Sequence, residues 1–545
     1  MEQTSNNRYL PQSKGLAILL LVLAAGSKIL AGPKLSIAIF GWLTPLFLLY
    51  FFRITPIKRK LMWAFLILYA GNIVSSYNAI PFPLPILAIL TILSTLKELL
   101  IYFLDRKLLQ KSNGFIATLF FPAITVAIEY ISTKTGGGAW WSVANSQYSF
   151  TWFIQLASVT GIWGISFMLY WFASVAVWAI DRYGKNQPMR NAVYGYSGIL
   201  LLVIVFGAVR TNTGNHEQKV KIAGLSAPSF GYLEAMYKTA TGKDIKINPH
   251  LSVTSPELQQ VNLAQISFIE TGDTVKYKTG YNALQKINDS LFVLSQKAAD
   301  AGARIISWSE ANAIGFRFQD KALVEKGSKF AAKNKVYLLM AMAIMDTGKI
   351  YFGKKFIENK AVFIGPDGAI LNVFHKNKPV PFAESSKPGD GKIPVIATPY
   401  GIVSTSICYD ADFPREMQQL SGNKTDILLL PSGDWYSIAP YHTHMAVLRG
   451  IENGCSLVRQ ASGGLSVAVD NRGNEYAHMD FFKDGTKLWV ADVPVGHVDT
   501  VYSVIGDILA YACMLFAAFV LLYLVVKVIM DRRSVKQIGM SNSLA

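Results

Sequence analysis

Long apolar segments occupy the N-terminal part of this chain and constrain its fold more than any other feature. A helix that crosses the hydrocarbon core of a bilayer needs about 20 apolar residues. Such segments lie at about 15–32, 36–53, 61–77, 84–104, 115–133, 157–180 and 194–210, and another follows at about 502–530. The sequence therefore predicts an α-helical membrane domain, then a globular region, then a C-terminal transmembrane helix.

Basic residues cluster between these segments in a pattern that predicts orientation. Cytoplasmic loops of membrane proteins are enriched in lysine and arginine. With the N-terminus inside, every cluster falls on the cytoplasmic side, and the globular region lies outside. The clusters are Arg53, Lys58, Arg59 and Lys60, then Arg106, Lys107 and Lys111, then Arg182, Lys185 and Arg190, and finally Arg532, Arg533 and Lys536. The net charge of +17 therefore indicates membrane topology, and we predict no nucleic-acid partner.

The region between the seventh and eighth segments has the pattern of an α/β domain. Short β-rich runs such as KVKIAGL, ARIISW, GIVSTSI and DILLLPS alternate with helical stretches such as NDSLFVLSQKAADAG. Apolar strands separated by helices favour a sandwich of sheets and helices. We predict a membrane domain at 1–214, a globular domain at 215–498, and a C-terminal helix with a basic tail at 499–545. The polar stretch 226–282 has no pattern that assigns it to an element.

Three β-rich runs end in side chains that suit nucleophilic catalysis. Glu310 follows RIISW, Lys376 follows ILNVFH, and Cys408 stands at a turn after GIVSTSI. A carboxylate, an ammonium and a thiol can serve as base, oxyanion partner and nucleophile. Taken singly, each also has an ordinary explanation as a loop carboxylate, a surface lysine or a core thiol. Cys455, in a predicted helix, and Cys513, in an apolar run, are predicted to be buried and inert.

The motifs around these residues resemble those of the nitrilase, or carbon-nitrogen hydrolase, superfamily. WSE at Glu310, HKNKPVPFAE at Lys376 and ICYDADFPRE at Cys408 follow the superfamily's order of Glu, Lys and Cys. The resemblance implies an α-β-β-α sandwich. It also implies that Glu310 is the general base, Lys376 stabilises the oxyanion and Cys408 is the nucleophile, with Glu384 as a supporting carboxylate.

The resemblance also implies residues beside the triad. Tyr409, Asp410 and Trp435 match positions that contact substrate, and APYHTHMAVLRGIENG is similar to an exposed helix that carries His, Arg and Glu. The opening of the site is predicted to face the membrane domain, with residues at its rim drawn from Trp140, Trp141, Trp435 and the surroundings of Phe316. No metal site is predicted, because His442 and His444 lie two positions apart, on different faces of a helix, and no cysteine pair accompanies them.

Motifs in the membrane part narrow the resemblance to the apolipoprotein N-acyltransferase family. GGGAWWSVANSQY followed by WFIQLASVTGIWGISFM is similar to the loop and helix that precede the catalytic domain in that family. The resemblance implies transfer of an acyl chain from a phospholipid, through a cysteine thioester, to the α-amine of the N-terminal diacylglyceryl-cysteine of a lipoprotein, without a cofactor. It also implies a multi-pass protein of the bacterial inner membrane with a periplasmic catalytic domain.

Two departures from the family pattern leave other functions open. The link SSKPGDGKIPVIATPYG between Lys376 and Cys408 is short and polar where the family usually carries an apolar arm, and the stretch 226–282 is longer than the family's corresponding loop. A membrane-tethered amidase, or an N-acyltransferase for a different amine, would keep the same triad. A non-catalytic binding protein would be favoured only if Glu310 and Lys376 lay out of reach of Cys408.

Overall fold

The computed structural model describes residues 14–55, 61–109, 114–213, 218–251, 254–485 and 487–542. Four residues of the predicted cytoplasmic clusters, Lys58, Arg59, Lys60 and Lys111, lie outside the described residues. The predicted boundary between the first two domains, at residues 214 and 215, also lies outside the described residues. Helices make up the N-terminal part of the described chain, and strands alternate with helices after it.

Every apolar segment predicted in the N-terminal part contains α-helix. The helices are Lys14–Ala31 (α1), Ala38–Ile54 (α2), Leu61–Ser76 (α3), Leu84–Leu109 (α4), Phe120–Ser132 (α5), Thr151–Ile154 (α6), Ala157–Thr160 (α7), Ile162–Tyr183 (α8) and Arg190–Asn212 (α9). Within the described ranges, four stretches are long and apolar enough to cross a bilayer, namely Leu84–Lys107, Phe115–Gly137, Ile162–Tyr183 and Arg190–Asn212. Shorter apolar helices lie at Gly15–Ala31, Ala38–Ile54 and Leu61–Ser76. This part of the chain is a helical membrane domain.

Helix α8 lies in the centre of this domain and also contacts the C-terminal part of the chain. Its Trp163 is 1% exposed, and the indole N–H donates to Asp507 Oδ1 over 2.7 Å. Gly161, just before α8, has φ of 66°, and a Cβ there would lie 2.5 Å from a ring carbon of Tyr502. Only glycine combines this backbone conformation with so close an approach, so the residue allows the two parts to pack tightly.

Two sheets form the α/β part. Its strands are Lys219–Leu225 (β1), Ile305–Trp308 (β2), Ala313–Phe316 (β3), Tyr337–Met345 (β4), Ile357–Ile364 (β5), Ile370–His375 (β6), Ile396–Thr398 (β7), Gly401–Thr405 (β8), Ile427–Gly433 (β9), Ser456–Ser462 (β10), Leu465–Val469 (β11), Glu475–Asp480 (β12) and Leu488–Pro494 (β13). The first sheet has the order β13-β1-β2-β4-β5-β6, with β3 also paired to β4. The second has the order β12-β11-β10-β9-β8-β7. Every predicted β-rich run named above overlaps one of these strands.

The sheets pack face to face and are covered by helices on their outer faces. Apolar side chains of both sheets, including Ile222, Ile305, Leu429 and Val458, form one core between them. Helices Lys278–Asp300 (α12) and Arg317–Asn334 (α13) cover the first sheet. Helix Ala439–Asn453 (α16) covers the second and is itself packed against the membrane helices. The predicted α-β-β-α sandwich is confirmed.

The unassigned stretch 226–282 is largely helical. It contains Phe230–Thr241 (α10), Pro256–Thr271 (α11) and the start of α12. Ser255 caps helix α11: its hydroxyl accepts from the backbone N–H of Leu258 over 3.3 Å, and Pro256 stands at the first position of the helix. Such a cap satisfies a backbone donor that the first helical turn leaves unpaired. Phe268 of α11 is fully buried, so these helices add a packed layer to the domain and are not a loose loop.

The remaining helices are short, except the last. They are Pro414–Met417 (α14), Gln419–Gly422 (α15), Val501–Ile505 (α17) and Ile508–Asn542 (α18). Helix α18 packs against α5, and Tyr511 and Tyr130 meet at their hydroxyls over 3.0 Å. Its apolar part in the described chain, Ile508–Tyr523, belongs with the shorter apolar helices. The C-terminal helix therefore lies where the sequence predicts it, while its passage through a membrane stays a prediction.

Candidate active site

The ends of three strands bring the predicted catalytic side chains to one place. Glu310 follows β2 and Lys376 follows β6, both in the first sheet, while Cys408 follows β8 in the second. Strand ends are rigid positions from which to present reactive groups. Because the two sheets are stacked, side chains from both meet at this edge.

Lys376 lies at the centre of the site and joins two carboxylates. Its side chain is fully buried, and Nζ lies 2.7 Å from Glu310 Oε1 and 2.5 Å from Glu384 Oε1. Burial opposes the charge of Lys376, but attraction to Glu310 and Glu384 outweighs it and raises the lysine pKa well above its usual range. Asn359 Nδ2 also donates to Glu310 Oε1 over 2.8 Å. Glu310 and the ammonium of Lys376 are thus fixed against each other.

Cys408 presents a buried thiol beside this pair. Its Sγ lies 3.6 Å from the carbonyl oxygen of Gly433, and a Cβ placed on Gly433 would lie 3.3 Å from Glu310 Oε2, so Glu310 and Cys408 flank the same glycine. Burial, followed by the charge of Glu310, raises the pKa of the thiol well above its usual range, while Lys376 opposes this rise. The resting sulfur is therefore a neutral thiol that needs a base to become a nucleophile.

The thiol stands on a strained turn that Asp410 holds in place. Cys408 has φ of 49°, a conformation that costs a non-glycine residue about 1–3 kcal/mol. The buried Asp410 carboxylate accepts from the backbone N–H of Ile407 over 3.0 Å and of Lys378 over 2.7 Å. Burial raises the pKa of Asp410 to about 7. Asp410 is fully buried and binds backbone N–H groups that hold the turn, while its contact with substrate stays a prediction.

A loop of the membrane domain covers this turn. We call residues 136–147 the membrane loop and residues Cys408–Asp412, which carry the predicted nucleophile, the nucleophile turn. Tyr409 donates its hydroxyl hydrogen to the carbonyl of Gly136, and the N–H of Ala139 donates to the carbonyl of Asp412 over 2.7 Å. Gly138 has φ of 53°, and a Cβ there would lie 2.6 Å from that same carbonyl oxygen. The site is therefore closed on one side by the membrane domain.

The other predicted rim residues have different surroundings. Trp435 donates its indole N–H to the carbonyl of Asn78, between α3 and α4, over 2.7 Å, so it too contacts the membrane domain. Trp140 and Trp141 line a cavity of about 240 Å³ formed mainly by the membrane helices. Phe316 is fully buried and packs on Phe268, with ring centroids 4.9 Å apart. Helix α11 therefore covers Phe316, while the prediction that residues around it lie at the rim stays a prediction.

Comparisons with known proteins identify both parts of the chain. A family model described as carbon-nitrogen hydrolase matches residues 275–501, and one described as apolipoprotein N-acyltransferase N-terminal domain matches residues 21–175. The apolipoprotein N-acyltransferase of Geobacter metallireducens is 24% identical over 86% of this chain and 86% of its own. Apolipoprotein N-acyltransferase 1 of Treponema denticola is 24% identical over 96% of this chain and 98% of its own. The chain belongs to the apolipoprotein N-acyltransferase family.

Both parts that the family combines contribute to the candidate site. The membrane loop falls inside the region matched by the family's N-terminal domain, while the nucleophile turn falls inside the carbon-nitrogen hydrolase region. Among solved structures, an amidase from Nesterenkonia sp. is similar to 40% of this chain and 86% of its own, at 20% identity and a TM-score of 0.32. The membrane loop lies outside the carbon-nitrogen hydrolase region, so this wall of the site comes from the membrane part of the family.

Several residues of the site gave no readable signal in the sequence. Asn359, whose side chain donates a hydrogen bond to Glu310, lies within strand β5, and no motif marks it in the sequence. Helix α16, predicted to be exposed, is buried, with Arg449 at 1% and Glu452 at 0% exposure. The reason is that the membrane domain lies on top of it, and Glu452 accepts from the backbone N–H of Ile162 over 2.9 Å. Cys455 is buried as predicted, but it follows α16 instead of lying within it.

One group of side chains near Cys408 has the residue types of a metal site. The sulfur, a carboxylate oxygen of Asp434 and a ring nitrogen of His442 lie within 4.8 Å of one another. Both ring nitrogens of His442 already contact carboxylates, at 2.7 Å for Asp434 and 2.9 Å for Asp412. Neither nitrogen then has a lone pair for a metal ion. His444 lies on another face of α16, stacked on Tyr148, so we assign the cluster to hydrogen bonding.

Proposed function

We propose that this chain transfers an acyl group from a phospholipid, through a thioester on Cys408, to the α-amine of the N-terminal diacylglyceryl-cysteine of a lipoprotein. One observation supports it most: a lysine held between Glu310 and Glu384 lies beside a buried thiol under a loop of the membrane domain. The relatives named above are apolipoprotein N-acyltransferases. A substrate with its acyl chains in the bilayer suits a site walled by a membrane domain.

In the first half-reaction, Glu310 takes the thiol proton and the sulfur attacks the ester carbonyl of the phospholipid. The ammonium of Lys376, charged through its contact with Glu310 and Glu384, stabilises the oxyanion of the tetrahedral intermediate. The C–O bond then breaks, and Glu310 returns the proton to the oxygen of the departing lysophospholipid. The acyl group remains on Cys408 as a thioester.

In the second half-reaction, a neutral amine attacks the thioester carbonyl, and Lys376 again stabilises the oxyanion. Glu310 takes a proton from the attacking nitrogen, the C–S bond breaks, and the proton passes to the sulfur. The products are an amide and the starting thiol. Because the first product leaves before the amine reacts, the kinetics are ping-pong. These steps use the chain's own residues and no cofactor.

The test of this proposal is the thioester itself. Wild-type protein incubated with phospholipid and no amine is expected to gain the mass of one fatty acyl group at Cys408, removable by neutral hydroxylamine. Adding a diacylated lipopeptide should discharge it and yield the N-acyl peptide, as measured by mass spectrometry of both species. If the protein never gains this mass but cleaves small amides, the membrane-tethered amidase replaces this proposal. If the acyl group appears on Cys408 but only a different amine removes it, the proposed acceptor is wrong.

The catalytic domain belongs on the extracytoplasmic side of a bacterial inner membrane under this proposal. The basic clusters then lie in the cytoplasm, which is where such residues accumulate. A reporter that is active only in the cytoplasm should be silent when fused near residue 300 and active when fused after residue 545. Comparing the two fusions at matched expression checks the orientation. The opposite pattern would contradict it and would move the phospholipid donor to the inner leaflet.

A further inference from the structure

His442 occupies a position in which both of its ring nitrogens must carry hydrogen. The imidazole is 5% exposed, with Nδ1 2.7 Å from Asp434 Oδ1 and Nε2 2.9 Å from Asp412 Oδ1. Ionised carboxylates only accept hydrogen bonds, and only the imidazolium form of histidine donates from both nitrogens. Arg459 Nη2 also lies 3.1 Å from Nδ1, but this guanidinium donates to Asp434 Oδ1. Nδ1 is closer to that carboxylate, which would repel a lone pair on the ring nitrogen, so the contacts on both sides require a charged ring. Burial opposes that charge, but Asp412 and Asp434 raise the pKa of His442 to about 9.

The two carboxylates connect His442 to both segments that frame the thiol. Asp412 ends the nucleophile turn, and Asp434 follows Gly433, whose carbonyl contacts Cys408 Sγ over 3.6 Å. A ring nitrogen of His442 lies within 4.8 Å of that sulfur. The imidazolium is therefore close enough to act on a charge at the sulfur.

The charges around the sulfur balance only if His442 is protonated. Arg459 Nη2 donates to Asp434 Oδ1 over 2.9 Å, so two cations, Arg459 and His442, face two carboxylates, Asp412 and Asp434. A neutral ring would leave one uncompensated negative charge next to a sulfur that already faces Glu310. Like charges in a buried site disfavour ionisation. Glu310 and Lys376 lie beside the same sulfur, and Trp140 and Tyr441 add only neutral groups next to the imidazole.

We propose that His442 is a positioning residue: fixed as an imidazolium between Asp412 and Asp434, it supplies the positive charge against which the Cys408 thiolate forms. Its two N–H groups point at carboxylates, so it does not act as the base, and Glu310 keeps that role. The proton on His442 stays in place through the reaction. This proposal rests on Cys408 being the nucleophile of the proposed function, but it is tested on the thiol alone, without lipid or amine.

The test measures alkylation of Cys408 by iodoacetamide against pH, on full-length protein in detergent, with the modified residue mapped by mass spectrometry. In His442→Gln the alkylation rate at pH 8 is expected to fall about 10- to 100-fold, because a lost charge near 5 Å shifts a buried ionisation by that order. The rate should rise with pH in both proteins, because burial and Glu310 raise the pKa of the Cys408 thiol above its usual range. A disordered site would expose the buried thiol to the reagent and raise the alkylation rate, so a fall in the rate reports the lost charge.

His444→Gln is the matched control. It removes a neutral imidazole from the same helix, buried against Tyr148, and should leave the alkylation profile unchanged. His442→Gln combined with Asp412→Asn gives a second test, since removing one charge of each sign restores the balance around the sulfur, and the profile of this double variant should return towards that of the wild type. A profile of His442→Gln that matches the wild type, or a double variant that stays as far shifted as His442→Gln alone, would overturn the proposal. A shifted profile in a protein that forms no thioester from phospholipid would overturn the proposed function and leave the role of His442 standing.

Discussion

Replacing Cys408 with serine is expected to lower the rate of acyl transfer by at least about 10⁴-fold. Rate losses of this order follow when an enzyme that forms a covalent intermediate loses its nucleophile. A serine hydroxyl is far less acidic than a thiol, so the carboxylate of Glu310 cannot readily activate it. The serine variant should also fail to gain the hydroxylamine-labile acyl mass. Turnover of phospholipid and lipopeptide, measured together with intact mass, checks both effects.

Cys455→Ala is the control for this variant. Cys455 is also a fully buried thiol of the catalytic domain, and burial raises its pKa to about 12, so it is inert at neutral pH. The alanine variant should form the thioester at a rate close to that of the wild type. If Cys408→Ser still gains the labile mass and Cys455→Ala does not, the nucleophile has been misassigned.

Lys376→Met is expected to lower the rate of thioester formation by about 10³-fold or more. Loss of one oxyanion partner costs about 10²–10³ in kcat, and here the same change also leaves Glu310 and Glu384 facing each other in a buried site. Breaking a buried ion pair from one side costs about 3–5 kcal/mol, so the melting temperature should fall as well. Rapid-mixing mass spectrometry and thermal unfolding measure the two effects separately.

The double variant Lys376→Met with Glu384→Gln separates catalysis from stability. Neutralising Glu384 removes the repulsion between the carboxylates, so the melting temperature should recover in part while the thioester still fails to form. Lys387→Met is a matched surface change, because Lys387 pairs with Asp346 over 2.8 Å but is half exposed. Exposed pairs contribute about 0–1 kcal/mol, and this variant should behave as the wild type. Recovery of turnover in the double variant would exclude Lys376 as the oxyanion partner.

Local patterns were enough for several strands of the sandwich, because the apolar runs that form them carry their own signal. The run DILLLPS has four consecutive aliphatic residues at its centre, as is typical of strands buried on both faces, and all of the run except its first residue lies in β9. For the opposite reason, local patterns did not predict the helices of the stretch 226–282. Its helices carry many polar residues, and Phe268 shows its role only when it is seen packed against Phe316.

Exposure was the property that local patterns judged least well. Helix α16 contains His, Arg and Glu, residue types that usually lie at the surface, yet it is buried because the membrane domain docks on it. The family resemblance likewise gave no indication that the carboxylate of Asp410 is buried against the backbone N–H groups of Ile407 and Lys378. A sequence records the residue type, while burial depends on the partner surface.

The sequence by itself determined the membrane helices, the sandwich class and the strand-end positions of Glu310, Lys376 and Cys408, because periodicity and turns act over a few neighbouring residues. Only the tertiary structure decided that Lys376 lies between Glu310 and Glu384, that the membrane loop closes over the nucleophile turn, and that His442 lies between Asp412 and Asp434. These contacts join segments far apart in the chain. They form only when the two sheets stack and the membrane domain packs on them, which no local pattern specifies.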